Sequence, residues 1–384
     1  MRHILTALLI TLLASGQLSF SQQNEAKSSQ IVKRLDYIAN LGDNILKYMT
    51  FNTAKGVWAI YPSGGYSSRT GLEFGFMPVY SWNTEDNLQY FKKINTLSTS
   101  AQFSTKGMIE LHSEIDWYLS PQWQFSGHLK ILSINDQYWD RWSKNKFAQS
   151  KNYQSNHYGI KVEFLRHLSH DTYIGLSTLI WNYHFNAREK NINFNQLYGS
   201  KGGWLAGIGP AILYDTRDHV LYPQSGKYFK ASWTLFQKKT LGNYAYNNYL
   251  VDLRQFIKIG LPVLAFQGLW EYNDQESPFF VMPQLGGKER LRGIGHAQRT
   301  VDNSVWLIRA ELRTDIWWRF GGVLFSEVGQ ASGHPQFIWK NNIYSNGVGL
   351  RFRILPDEPL NIRIDAAWSS EKQKGFFISL KEAF

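Results

Sequence analysis

The stretch LGGKERLRGIGHAQRTVDN, residues 285–303, sets Arg292 among glycines in a long segment between two strand-like runs. A guanidinium can form paired, charge-assisted hydrogen bonds to a carboxylate, which supplies geometry as well as energy. The residues alone leave two readings open. Arg292 is either a solvated loop residue, or belongs to a loop that folds back into the protein and needs an acidic partner there. Gly293 and Gly295 would let such a loop approach a wall closely. A second cluster, Asp215-Thr216-Arg217-Asp218, follows a strand-like run and precedes Pro223, Ser225 and Gly226. Asp and Thr side chains close turns onto nearby N–H groups, and Arg217 can bridge the carboxylates, so this reads as a tied turn without chemistry of its own. GGKE lacks the Ser or Thr of a phosphate loop and has no strand–helix context. His167 and His170 read as strand-end interface residues rather than metal ligands. Nothing in the spacing of the ten histidines and many aspartates suggests catalysis. No enzyme activity, metal site or cofactor is expected.

The elements that position these residues follow from composition and period. Aromatics make up 16% of 384 residues, yet the chain is mildly polar on average. That combination fits a transmembrane β-barrel with aromatic girdles and a polar lumen; a soluble all-β protein with a rich core is the plainer alternative. There is no cysteine, which excludes disulfides, zinc-thiolate sites and a lipid-bearing N-terminal cysteine. The net charge of +11 is spread along the chain, which suits lumen, loops and contact with anionic lipid head groups rather than nucleic acid.

From about Val57 onward the hydrophobic period is two. In 108–119, Ile109, Leu111, Ile115, Trp117 and Leu119 alternate with Glu110, His112, Glu114 and Asp116. Alternating ionisable groups fit a wet lumen behind a lipid-facing wall. Arg309, Glu311, Arg313 and Asp315 repeat the pattern, as do Arg351 with Arg353 and Asn361, Arg363 with Asp365. About sixteen strands are expected, from 57–62 and 71–81 through 360–370 and 374–384, in an all-β, transmembrane antiparallel barrel. The connections 134–156, 185–202, 273–303 and 331–342 are long and fall on the outer side if the N-terminus is periplasmic. The turns 119–121, 168–171, 258–261 and 355–359 are short and fall on the periplasmic side, the asymmetry such barrels show.

Residues 1–21 read as a secretory signal peptide: a basic start, an apolar stretch 4–13 and the small-x-small site Ser19-Phe20-Ser21. No later run is long and apolar enough for a spanning helix, so a membrane form must be a closed barrel. Residues 22–56 form a short periplasmic segment with an amphipathic helix over 28–49, where Ile31, Leu35, Ile38, Ile45 and Met49 recur at helical spacing. Whether that helix plugs the barrel, lies on the membrane or merely docks is open. The barrel proper is 57–384.

Several stretches carry a resemblance, in order along the chain: GIGPAILYDTRDHVLYPQSGKYFKASW (207–233), LGGKERLRGIG with DNSVWLIRAELRTDI (285–316), LFSEVG (324–329), YSNGVGLRF (344–352) and the ending FFISLKEAF. Together they resemble the barrel of the BamA/TamA insertase and translocase family, over essentially 57–384. The resemblance implies that the sixth outer loop folds into the lumen. Its apolar-Arg-Gly-aromatic motif corresponds to Leu291, Arg292 and Gly293, with Ile294 in place of the aromatic. The implied acidic partner is Glu327, beside Gly329 in LFSEVG, where the family usually has Asp. The turn motif Asp215–Asp218 is mainly structural in the family. Members carry periplasmic POTRA domains, and this chain is expected to lack them.

The resemblance also implies function. The first and last strands pair poorly, and their seam opens sideways to assist insertion or translocation of outer-membrane proteins or lipids. Trp58, Ile60, Phe376, Ile378 and Phe384 would line that seam. From the residues themselves, Pro62 lacks a ladder donor and Ser63-Gly64-Gly65 weakens pairing, which suits a weak seam; the plainer alternative is that Pro62 simply ends the first strand. The alternatives are an accessory or structural barrel of an envelope assembly complex, and a passive pore, which an inward loop would obstruct. Expected partners are outer-membrane lipids, nascent outer-membrane proteins or envelope complex subunits, with self-association possible. The expected location is the outer membrane of a Gram-negative bacterium.

Overall fold

The computed structural model describes Tyr37 and residues 49–83, 94–144, 149–187, 194, 196–220, 222–238, 242–353 and 361–384. The expected signal peptide lies outside the described residues, as does the helix over 28–49 apart from Tyr37 and Met49. The chain divides into two compact units, Met1–Phe51 and Asn52–Phe384, and the second holds the barrel.

A three-residue strand, β1 (Thr50–Asn52), precedes sixteen antiparallel barrel strands. The first eight are β2 (Gly56–Ser67), β3 (Gly71–Trp82), β4 (Asn95–Ser104), β5 (Ile109–Ser120), β6 (Trp123–Tyr138), β7 (Lys151–Ser169), β8 (Thr172–Ala187) and β9 (Gly203–Asp215). The rest are β10 (Gly226–Phe236), β11 (Tyr246–Lys258), β12 (Val263–Asn273), β13 (Ser304–Trp317), β14 (Phe320–Ser332), β15 (Ile343–Arg353), β16 (Asn361–Ser369) and β17 (Lys374–Leu380). Each strand from β2 onward pairs with the next, and β17 pairs back with β2, so the sheet closes. Closure pairs the backbone groups that an open sheet would leave bare in lipid, with the β2–β17 junction as the sparsely paired place.

The alternation sorts side chains between two faces. On β5, Ile109, Leu111, Trp117 and Leu119 are exposed, whereas Glu110, His112, Glu114 and Asp116 are half-buried toward the lumen. On β13, Ile308 and Leu312 face outward, and Arg309, Glu311 and Arg313 are buried inside. The long connections after β6, β8, β12 and β14 gather at one end of the barrel. At the other end the turns after β5, β7, β11 and β13 are tight: between β7 and β8, His170 (φ 43°) and Asp171 (φ 61°) form a two-residue turn, the geometry that matches strand twist.

Four strand boundaries differ from those expected. The first strand does not stop at Pro62: β2 runs on to Ser67, with Pro62 opposite Phe76. A missing N–H is tolerated there because the other side of β2 is an edge with little pairing to β17. β6 and β7 extend into the expected loop, with Asn135 to Tyr138 pairing Gln154 to Lys151. These polar residues continue the ladder without apolar alternation. The last strand ends at Leu380, not Phe384, because Lys381 takes a left-handed conformation (φ 68°) and turns the chain.

Candidate functional site

The β12–β13 connection, 274–303, runs against the inner wall. At its base, Phe279 and Phe280 are buried among Tyr153, Phe185, Tyr244 and Tyr246. Aromatic burial of this kind anchors a segment that could otherwise extend into solvent. The return limb is clamped by the β6–β7 connection. The Trp142 N–H donates to the Val301 carbonyl (2.9 Å) and the Ser143 N–H to the Asp302 carboxylate (2.8 Å). The tip folds on itself, with the Leu291 N–H donating to Leu285 O (2.9 Å) and the Gly287 N–H to Ile294 O (2.8 Å). Leu285, Leu291 and Ile294 are fully buried against Val305, Leu307 and Ile343 of the wall.

Arg292 projects from this tip with no side-chain exposure. Its backbone N–H donates to Glu327 Oε2 (2.6 Å) and its Nε to Glu327 Oε1 (2.8 Å). Nη1 donates to Asp365 Oδ2 (2.8 Å) and Nη2 to Glu311 Oε1 (2.5 Å). The guanidinium also lies 3.4 Å from the centroid of the Phe325 ring, a cation–π contact. Phe325 and Glu327 share the inner face of β14, while Glu311 stands on β13 and Asp365 on β16. Burial opposes the charge of Arg292, but the carboxylates of Glu327, Glu311 and Asp365 hold its pKa above the ordinary arginine value. Glu311 and Asp365 were missed as partners in the sequence. Their lumen-facing alternation was visible, but which inward carboxylates converge depends on the barrel's curvature.

Glycines set how closely the loop sits. The Gly293 N–H donates to Ser345 Oγ (2.9 Å), and a Cβ at Gly293 would lie 2.6 Å from that oxygen. A Cβ at Gly329 would meet Leu285 Cδ1 at 2.6 Å. The Gly295 carbonyl accepts from Ser68 Oγ (3.0 Å) in the β2–β3 turn. The loop thus touches β14, β15 and the start of the barrel.

The charge network continues to the C-terminus. Glu311 Oε2 accepts from Arg313 Nε (2.8 Å), and Asp365 Oδ1 from Arg351 Nη1 (2.7 Å). Arg351 Nε reaches both carboxylate oxygens of Glu382 (2.9 and 2.8 Å). Arg309 and Arg313 donate to the main-chain oxygens of Ala383 (3.1 Å) and Phe384 (3.2 Å). The Arg309 guanidinium lies 4.1 Å from the Phe384 ring centroid. Phe384 is therefore in the lumen, not at the seam where the sequence reading put it. The turn at Lys381 breaks the outward alternation, and buried arginines receive the tail.

The seam itself is thin. β17 pairs with β16 through seven residue pairs, but with β2 only through Ile378–Tyr66 among the described residues. Phe376 packs beside Tyr66, with ring centroids 5.7 Å apart. Trp58 and Ile60 pair with Tyr80 and Pro78 of β3 and have no β17 partner. The paired stretch of the seam thus lies nearer Ser67 than the 57–62 expected.

The Asp215–Asp218 motif is a turn. Arg217 is bidentate to Asp215 alone (2.9 Å each) and does not bridge the two carboxylates. Asp218 instead accepts from the Gln224 N–H (2.9 Å), and Thr216 bonds across the turn to Lys227. His167 lies beside Tyr173, and His170 is in the tight β7–β8 turn.

Residues 91–379 match the family model described as the Omp85 superfamily domain. No curated protein matches the chain. Among solved structures, BamA from Haemophilus ducreyi lacking POTRA domains 1–3 is similar, with a TM-score of 0.58 and 14% identity over 84% of this chain and 70% of that one. CdiB from Acinetobacter baumannii gives 0.54 and 9% identity over 85% of this chain and 60% of its own. CdiB from Escherichia coli gives 0.57 and 9% over 84% and 62%. At these identities the likeness is one of fold, and the chain spans about three fifths of either CdiB chain.

Proposed function

The chain belongs to the Omp85 superfamily, and from that premise we propose that it assists insertion or translocation of outer-membrane proteins, or of lipids, through the seam between β2 and β17. The observation that carries this reading is the seam's pairing through the single pair Ile378–Tyr66, against seven pairs across the neighbouring β16–β17 boundary. Each lost ladder bond lowers the free energy needed to separate the strands, since a net backbone bond is worth about 0.5–1.5 kcal/mol. The loop and the C-terminal tail occupy space in the lumen, which disfavours a passive pore. The activity is non-enzymatic in this reading. The partners are outer-membrane lipids and nascent barrel proteins, and residues 1–21 are cleaved during export.

Photo-cross-linking in living cells from Trp58 or Ile60 tests the proposal, with captured proteins identified by mass spectrometry. Capture of nascent outer-membrane barrels or exported proteins supports it. Capture of one fixed envelope partner, or of a second copy of this chain, would instead make it an accessory barrel.

A further inference from the structure

The lumen wall carries a cluster that the seam mechanism does not use. His112 and Glu114 are two residues apart on β5 and share its inner face. Cross-strand register places His128 of β6 directly opposite Glu114. His112 Nε2 lies 3.4 Å, and His128 Nδ1 3.6 Å, from the same carboxylate oxygen, Glu114 Oε1. All three donor atoms lie within 4.8 Å of one another. Ligand atoms at tetrahedral zinc, each about 2.0–2.1 Å from the ion, are roughly 3.4 Å apart. Both histidine–glutamate separations are close to that edge, so only the two imidazoles need to approach each other. The rings already lie nearly parallel, with centroids 6.4 Å apart.

We propose that His112, Glu114 and His128 form a binding site for a divalent transition-metal ion of the zinc type. Two imidazoles and a carboxylate are a borderline donor set that suits zinc and copper rather than magnesium or calcium. Three protein ligands leave a coordination position open. A cavity of about 140 Å³, lined by His112 and Glu114 together with Ser100, Gln102, Glu73 and Lys381, leaves room for a water or a substrate oxygen there. The nearby ammonium of Lys130 is drawn off to Glu110 (3.3 Å), and that of Lys288, which also lines the cavity, to Glu73 (3.9 Å). The cavity also borders Gly64 of β2 and Ser379 and Leu380 of β17, so a bound ion would join β5 to β6 beside a cavity that reaches the seam strands. The expectation of no metal site rested on spacing along the chain. The third ligand comes from the neighbouring strand, and only the register reveals it. The site is independent of the insertion reading.

The test uses the full chain, without a histidine tag, folded in detergent and stripped with a chelator. Zinc is titrated in by calorimetry, and copper(II) is examined by electron paramagnetic resonance. The expected result is one zinc per chain, and nitrogen hyperfine structure in the copper spectrum. His112→Ala and His128→Gln should each weaken zinc binding by at least about tenfold, the lower bound for loss even of an outer-shell partner. Both variants should keep the heat-modifiable gel mobility of a folded barrel. Should either variant fail to fold, Glu114→Gln provides the same readout. The proposal is overturned if wild type shows no saturable zinc binding, or if folded His112→Ala and His128→Gln bind as wild type does. Retained binding would place the zinc elsewhere, and no binding would leave Glu114 simply in contact with the two histidines.

Discussion

The carbonyl oxygen of Arg292 lies so close over Gly375 that a Cβ on the glycine would stand 1.9 Å from it. Gly375 belongs to β17, the strand that forms one side of the seam, and Arg292 carries the ion pairs that hold the loop. The same loop accepts a hydrogen bond from Ser68, at the end of β2. The loop therefore spans the seam from the inside, gripping β13, β14 and β16 through carboxylates and touching β17 and the β2–β3 turn through its backbone. Displacing the loop would break its contacts on both sides of the seam.

Arg292→Ala leaves Glu327, Glu311 and Asp365 buried without their shared cation. Loss of one partner of a buried pair costs about 3–5 kcal/mol, so thermal stability in detergent should fall markedly and protease should cut within 285–300. Arg292→Lys should rescue little, since an ammonium cannot reproduce the fork that meets three carboxylates. Glu327→Gln should be milder than Arg292→Ala, because Glu311 and Asp365 keep their contacts.

Gly375→Ala forces the loop away from β17, whereas the same change at Gly260, where nothing lies within 4 Å of an added Cβ, meets only its own left-handed backbone (φ 66°). Overpacking of this kind costs about 1–3 kcal/mol. Gly375→Ala should raise protease sensitivity of the loop, and Gly260→Ala should not.

The general architecture was legible because a barrel wall writes its two faces into a period of two. Ile109 to Leu119 shows this directly: its apolar residues face out and its acids and histidine face in. What stayed hidden depended on neighbours across space. Glu311 and Asp365 sit on separate strands and meet Arg292 only through the curvature of the wall. The inward turn at Lys381 has no glycine or proline to announce it, so Phe384 read as the last outward residue of a continuing alternation. Pro62 read as a stop because its missing donor matters in a paired strand, and the sequence does not say that one side of β2 is nearly free. The ends of β6 and β7 read as loop because Tyr138 and Tyr153 stand there among polar residues, too few apolar positions to show an alternation.

Glu382 and Phe384 fasten the C-terminal tail to Arg351, Arg309 and Arg313. Removing 382–384 leaves these guanidiniums without their tail partners and opens space in the lumen. The deletion should lower thermal stability and raise single-channel conductance in planar bilayers relative to wild type. Glu382→Gln should lower stability less, by about 1.5–3 kcal/mol, the range for a hydrogen bond to a charged group.

The seam is tested most directly by locking it. The chain contains no cysteine, so Tyr66→Cys with Ile378→Cys introduces the only thiols, at the one residue pair that joins β17 to β2 among the described residues. Insertion or translocation of client proteins is then followed in cells under oxidising and reducing conditions, beside each single variant. The oxidised double variant should fold but lose activity, a reductant should restore it, and neither single variant should respond. Full activity with the disulfide formed would contradict the passage of clients through this seam.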